Sequence, residues 1–394
     1  MIKNKKILLT YFLYLILGIV FFLTFHLNEF PIKYTFTDWL INYEGGFVRR
    51  GLLGQIVFEL SKLLNIQIKF LILIFQIFIY LIYFLLFFLL LSKRETNFFW
   101  LLIIFSPISF LYPMAELEAL GRKDIFVITS FLIFSIINYR SLSSLLFSFI
   151  FIFTLSCLIH EITFFYIFHY LFVFYVKNKI FINQKLNIKH YLVSFLSLGI
   201  LLYLNLYLHN FVVIEDIVNS YNYENLTALS GSFSHISPTI DSVFFKTFSN
   251  INIVTIARYG FLILISTIPF IYFIQIKSDY ENKYFNFQNI LISNILLSIP
   301  LYLLIFDWGR VIYINYNFFI ILLLFFFKLN LIDLENVDKK IKNLNFLSKS
   351  LFLIVVCFMI SPDIMSINKL EYFPLPSQIL RFFGGIFERI IELY

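Results

Sequence analysis

Apolar runs of roughly bilayer-crossing length recur along this chain, and they leave it few folds. The runs lie at 7–26, 69–92, 98–113, 125–138, 143–159, 162–176, 191–209, 256–275, 288–306, 311–327 and 350–366. A membrane helix needs about 20 apolar residues, and backbone in lipid must satisfy its own hydrogen bonds. The expected fold is therefore all-α: a polytopic integral membrane protein with about 11 transmembrane helices. The runs within 98–138 and 143–176 are short, which fits tilted or re-entrant segments. Composition agrees, with 60% hydrophobic and 13% charged residues against roughly 25% charged in soluble chains. The Phe, Ile, Asn and Lys excess also follows AT-rich coding, so many single phenylalanines carry no message.

The same patterning excludes several classes. Cys157 and Cys357 both fall in apolar runs, so no disulfide framework or cysteine metal site is indicated. A net charge of +7 describes membrane orientation, because no soluble basic domain is present to hold nucleic acid. There is no Walker loop, dinucleotide fingerprint, Gly-x-Ser-x-Gly elbow or zinc-type Cys/His spacing, and no metal or cofactor is expected. No internal repeat is visible, and residues 1–394 read as a single membrane domain. The first run follows Met1-Ile-Lys-Asn-Lys-Lys6. It starts like a signal peptide but is too long and lacks a small-residue cleavage site, so it reads as a retained anchor.

Lysines set the orientation. With the N-terminus inside, the inner segments hold Lys3, Lys5, Lys6, Lys93, Lys177, Lys179, Lys185, Lys189, Lys277, Lys283, Lys328, Lys339, Lys340, Lys342 and Lys349, but only Arg94 and Arg140. The outer segments then hold Arg49, Arg50, Arg122, Arg258, Arg310, Arg381 and Arg389, each within a few residues of a glycine. Coding bias favours Lys, so Arg there points to its planar fork and to bidentate contact with phosphate or carboxylate. The plainer reading is that Arg and Gly mark helix ends at the interface.

Two outer loops are long, 27–68 and 210–255. In the first, Leu52, Leu53, Ile56, Val57, Leu60, Leu63 and Leu64 recur at three- and four-residue steps. This predicts an amphipathic helix lying in the interface plane. The second is rich in Asn, Ser and Tyr and mildly acidic, suiting a cap over a site.

Five constellations could carry chemistry. Gly45-Gly-Phe-Val-Arg-Arg-Gly51 precedes the interfacial helix, where backbone N–H groups and the Arg49 and Arg50 guanidiniums could converge on an anion. Asp38 and Glu44, in the same loop, are candidate bases, although Asp38 could equally cap a short helix at 39–41. In Glu116-Leu-Glu-Ala-Leu-Gly-Arg-Lys-Asp124, Glu118 and Arg122 have pairing spacing and Asp124 opens the next run. His160-Glu161 marks the outer end of the 143–159 run, without a second His at metalloprotease spacing. Asp307-Trp-Gly-Arg310 forms a tight outer turn.

A long first outer loop with an amphipathic helix, an acid soon after the first span, and Arg122-x-Asp124 ahead of the next run resemble the GT-C superfamily of polyprenyl-dependent membrane glycosyltransferases. Size and span count also resemble the Wzy-type polymerases of O-antigen and capsule repeat units. The likeness covers mostly the first third of the chain. It lacks the tandem Asp/Glu pair of several GT-C families, so both a carboxylate-led and an arginine-led mechanism stay open. The resemblance implies catalytic roles for Asp38, Glu44 and Asp124, and pyrophosphate binding by Arg49, Arg50, Arg122, Arg258 and Arg310. His160, Glu161 and Asp307 are further candidates.

By the same resemblance the partners are an undecaprenyl-linked oligosaccharide, membrane lipids and the pathway's flippase and chain-length regulator, with no nucleic acid. The place is a bacterial inner membrane with a periplasmic active face. A transferase of single sugars from polyprenyl monophosphate, and a lipid-linked oligosaccharide flippase, are the alternatives. Tag-accessibility mapping is expected to place the Arg49–Arg50 loop on the side opposite the lysine-rich loops; a cytosolic tag there would overturn the orientation.

Overall fold

The computed structural model describes residues 2–92, 98–116, 119–182, 196–201, 212–236, 253–274, 287–304, 307–332, 334–358, 360–362 and 370–372, with a few isolated positions between. Predictions falling on Glu118, Arg381 and Arg389 lie outside the described residues. In chain order the helices are α1 Ile2–His26, α2 Tyr34–Leu40, α3 Gly51–Leu64, α4 Ile68–Leu91, α5 Phe98–Ile104, α6 Tyr112–Ala115, α7 Asp124–Ile136 and α8 Leu142–Ile159. After a 3-10 turn at Glu161–Tyr166 come α9 Ile167–Lys177, α10 Ile214–Asn219, α11 Ile253–Phe273, α12 Phe287–Leu304, α13 Trp308–Lys328, α14 Leu334–Asn343 and α15 Phe346–Leu353. The only sheet among the described residues pairs Ile360–Pro362 with Leu370–Tyr372, antiparallel.

Five of these helices, α1, α4, α8, α11 and α13, are long and apolar enough to cross a membrane. This is fewer than the expected eleven, and the reasons are local. The run at 98–113 stops being helical after Ile104, where Ser106-Pro107 follows; proline disfavours α geometry in the residue before it. The run at 350–366 passes from helix into extended chain at Ile360–Pro362, and most of the run at 191–209 lies outside the described residues. Large apolar side chains face outward, among them Leu13, Leu17, Ile74, Phe78, Phe147, Phe151 and Leu264. A soluble monomer rarely exposes so much contiguous apolar surface. The helices are compatible with a membrane-embedded protein.

At the centre, α13 is buried on nearly every side, as expected of a helix apolar all round. It packs along α7, where Phe131 and Phe318 stack at 4.3 Å, and Tyr83 of α4 donates to Asn317 at 2.6 Å. Both ends of α7 are held by charge. At its start stands Asp124. Near its end, Lys177 donates to the Phe134 carbonyl and, at 2.7 Å, to that of Ile137, while Lys328 donates to Ile136 at 2.5 Å and to Asn138 at 2.8 Å. Acid at a helix N-terminus and lysine at its C-terminus both oppose the macrodipole favourably.

The segments 27–68 and 212–236 fold together over the other end. Phe36, Trp39, Ile41, Val57, Ile217 and Phe233 share one apolar cluster. Backbone of Val213 donates to Gly45 at 2.9 Å, Tyr221 to Leu40 at 2.7 Å, and Ser232 to Thr37 at 2.8 Å. The amphipathic reading of α3 is realised in two directions: Leu53, Val57 and Phe58 are buried, while Ile56, Leu63 and Leu64 face out. Asp38 lies inside α2, whose N-cap position is Lys33, so it does not cap a helix at 39–41.

Gly121 locks this layer to the helices. Its φ is +79°, and its carbonyl accepts from Trp39 Nε1 at 2.7 Å and from Gln76 Nε2 at 2.9 Å. A Cβ there would meet Gln76 Nε2 and Thr35 Cγ2 at 2.7 Å. Gly121→Ala is therefore expected to cost about 2 kcal/mol or more through backbone strain and overpacking. Gly260→Ala, where a Cβ meets nothing within 4 Å, is expected to be neutral or stabilising. Thermal melting in detergent compares the two.

Candidate functional site

Where the N-termini of α7 and α13 meet the end of α8, charged side chains form one buried network. Arg310, in the first turn of α13, grips Asp124 at the start of α7 with two hydrogen bonds, Nε to Oδ2 at 2.5 Å and Nη2 to Oδ1 at 2.7 Å. The same Nη2 contacts His160 Nε2. His160 Nδ1 lies 3.3 Å from Glu161 Oε2. Arg310 can only donate, so His160 Nε2 is the acceptor there, while Nδ1 faces both Glu161 and the Ile162 backbone N–H, which lies 3.3 Å from it. Burial pushes the imidazole pKa down, with the Glu161 carboxylate opposing and the Arg50 charge adding to it.

Glu161 is held from the loop side by Arg50. Its Nε lies 2.8 Å from each carboxylate oxygen and its Nη2 2.5 Å from Oε1. Arg50 has φ +67°, directly before α3, and this uncommon conformation is held by Lys123, whose Nζ donates to the Arg50 carbonyl at 2.6 Å. On the other flank Arg122 Nη1 reaches Asp307 Oδ2 at 3.3 Å, and Arg310 Nη1 lies 3.9 Å from the same oxygen.

Asp38 differs from its fellow acids. It is 4% exposed, yet neither carboxylate oxygen receives a hydrogen bond among the described residues. The nearest cation is Arg50 Nη1 at 3.6 Å. Burial pushes its pKa up, but Lys123, Arg50, His160 and Arg310 together outweigh this and bring it down to about 2. A buried carboxylate without donors is costly, so this one is poised to accept from a group the fold itself does not supply.

The arginines fall into two kinds. Arg50, Arg122 and Arg310 each pair with an acid of the network. Arg49, half-buried beside them, makes no hydrogen bond or ion pair among the described residues. Arg258 is exposed on the first turns of α11, and Glu44 is exposed and accepts from Gln55 at 3.3 Å. Asp38, Asp124, Arg49, Arg50, Arg122, His160, Glu161, Asp307 and Arg310 thus gather, whereas neither Glu44 nor Arg258 is an ion-pair partner in this network. Sequence reading did not single out Lys123, which is fully buried. Its adjacency to Asp124 in a membrane-edge hairpin was the available signal.

The chain is thus a helical protein, compatible with membrane embedding, that keeps a buried ion-pair network at one end of its central helices. Comparison with protein-family models, curated proteins and solved structures gives no match.

Lys123 generates a pH signature. Burial lowers its pKa from 10.5 to about 8, with Asp38 opposing. Between about 8 and 10.5 the unfolded chain therefore binds more protons than the folded one, and folded stability from this group rises with pH. Wild type is expected to gain stability relative to Lys123→Met as pH goes from 7.5 to 10, read by denaturant unfolding in detergent; a constant difference would contradict the assignment.

Proposed function

We propose that this chain is a membrane glycosyltransferase that polymerises lipid-linked saccharide units, using the Asp38–Arg49 region as its reaction centre. The observation that carries the reading is Asp38: a buried, ionised carboxylate with no hydrogen-bond donor, set among cations. Ionisable groups kept inside an apolar helical protein are functional candidates by default, and a carboxylate of this kind suits an incoming sugar hydroxyl. The likeness of the 27–68 loop and Arg122-x-Asp124 to GT-C and Wzy-type enzymes supports the same class. By that likeness the carrier is undecaprenyl pyrophosphate, the membrane is a bacterial inner membrane, and the working face is periplasmic.

The chemistry balances without a cofactor. The donor's C1–O bond to phosphate breaks, its electron pair leaves with the diphosphate, and C1 bonds to the acceptor hydroxyl oxygen. Asp38 orients that hydroxyl. With a pKa of about 2 it is too weak a base to keep the proton, which passes to the leaving diphosphate, whose own proton affinity corresponds to a pKa of about 6. Arg49 supplies the guanidinium not already committed to an acid and faces the charge developing on the leaving group. Arg50 and Arg310 act as positioning residues: they hold Glu161 and Asp124, and through them His160, around Asp38. Arginine's role is thereby narrower than the sequence suggested, because most of these forks are turned onto acids.

The test combines genetics and reconstitution. Deleting the gene from its source strain is expected to leave short, single-unit surface glycans. Wild type should restore long chains, and Asp38→Asn and Arg49→Ala should lower turnover of lipid-linked units in proteoliposomes at least about a hundredfold while keeping the wild-type melting temperature within a few degrees. Full-length glycans in the deletion strain, or full turnover in both variants, would refute the proposal. Units trapped on the cytoplasmic leaflet would favour a flippase instead.

A further inference from the structure

We infer that the Asp307 side of the ion-pair network is a saccharide subsite, with Tyr112 and Tyr166 donating to sugar oxygens and Asp307 accepting from a sugar hydroxyl. The inference rests on the glycosyl-transfer reading, which requires two sugars to be held at once; the Asp38 side serves the attacking hydroxyl, and this flank takes a second ring.

Two buried hydroxyls point to it. Tyr112 is 0% exposed, its ring stacks on Tyr313 at 4.4 Å, and its hydroxyl has no hydrogen-bond partner among the described residues. Tyr166 is 1% exposed, packs on Phe318 at 4.4 Å, and its hydroxyl is likewise unpartnered. Tyr112 lies within electrostatic reach of Asp307 and Arg122, and Tyr166 of Asp124 and Arg310, so both flank the start of α13. A buried polar group without a partner destabilises the fold. Phenylalanine would fill the same space at no such cost, and this chain uses 55 Phe to 25 Tyr. Two retained hydroxyls beside one network therefore imply a ligand that bonds to them.

The ligand's class follows from what surrounds them. The charges on this flank already cancel, Arg122 on Asp307 and Arg310 on Asp124, so a neutral ligand fits better than a second phosphate. Trp308 lies between the rings of Tyr259 and Tyr302, 5.4 Å from each. Its indole N–H is spent on the Tyr302 carbonyl at 2.8 Å, and the ring, 7% exposed, is packed as an apolar wall behind Asp307. Asp307, with its side chain 23% exposed, is the accessible edge. Hydroxyl donors beside a carboxylate match a sugar, whose ring hydroxyls can accept from the tyrosines and donate to Asp307.

The experiment is saturation-transfer NMR on the purified full chain in detergent, with N-acetylglucosamine, galactose, glucose and rhamnose as probes and inorganic pyrophosphate as competitor. At least one sugar is expected to bind saturably and to resist the competitor. Tyr112→Phe and Tyr166→Phe should each weaken it roughly five- to tenfold, the loss of one hydrogen bond, with a melting temperature equal to or above wild type. Binding to no sugar, equal binding by both variants, or displacement by pyrophosphate would overturn the subsite. Long surface glycans from the tyrosine variants but short ones from Asp38→Asn would sink this subsite alone, whereas long glycans from all three would sink the transferase reading as well.

Discussion

The Arg310–Asp124 pair is the contact on which the rest of the arrangement depends. It joins the first turns of two deeply buried helices, α7 and α13, and His160, Asp307 and Arg122 take their places from it. A buried ion pair is poor value as a stabiliser, because desolvation offsets much of its Coulomb energy. Removing one partner is worse, typically about 3–5 kcal/mol, since a lone charge stays behind. The chain therefore maintains an arrangement that apolar residues would replace at little cost in stability. That expense is understandable if the charges define a site.

Much of the scaffold was legible in the sequence. The runs at 7–26, 69–92, 143–159, 256–275 and 311–327 match α1, α4, α8, α11 and α13 within a few residues, since length and hydropathy alone decide such helices. Proline marks the break in two of the other runs: Ser106-Pro107 follows α5 and the 350–366 run is extended at Ile360–Pro362, which average hydropathy hides. Gln76, a lone amide in an apolar helix, was a readable sign that something polar faces α4, and it binds Gly121.

The individual charges of the network were also visible, but their pairing was not. Arg50 meets Glu161 and Arg310 meets Asp124 across more than a hundred residues of chain. Only helix packing sets such partnerships, and no local spacing reports them. Reading each arginine as an anion grip overlooked that acids in the same outer segments were near enough to claim them. Arg50, in a left-handed backbone conformation, takes Glu161, and its neighbour Arg49 is left without an ion pair among the described residues.

The shortness of α7 has a consequence of its own. Its 13 residues rise about 20 Å, whereas a bilayer's hydrocarbon slab is about 30 Å thick. A helix of that length covers about two-thirds of such a slab. The layer formed by 27–68 and 212–236 packs over the end where Asp124 opens α7. Charges enclosed there act through surroundings of low permittivity, over a longer range than they would in water.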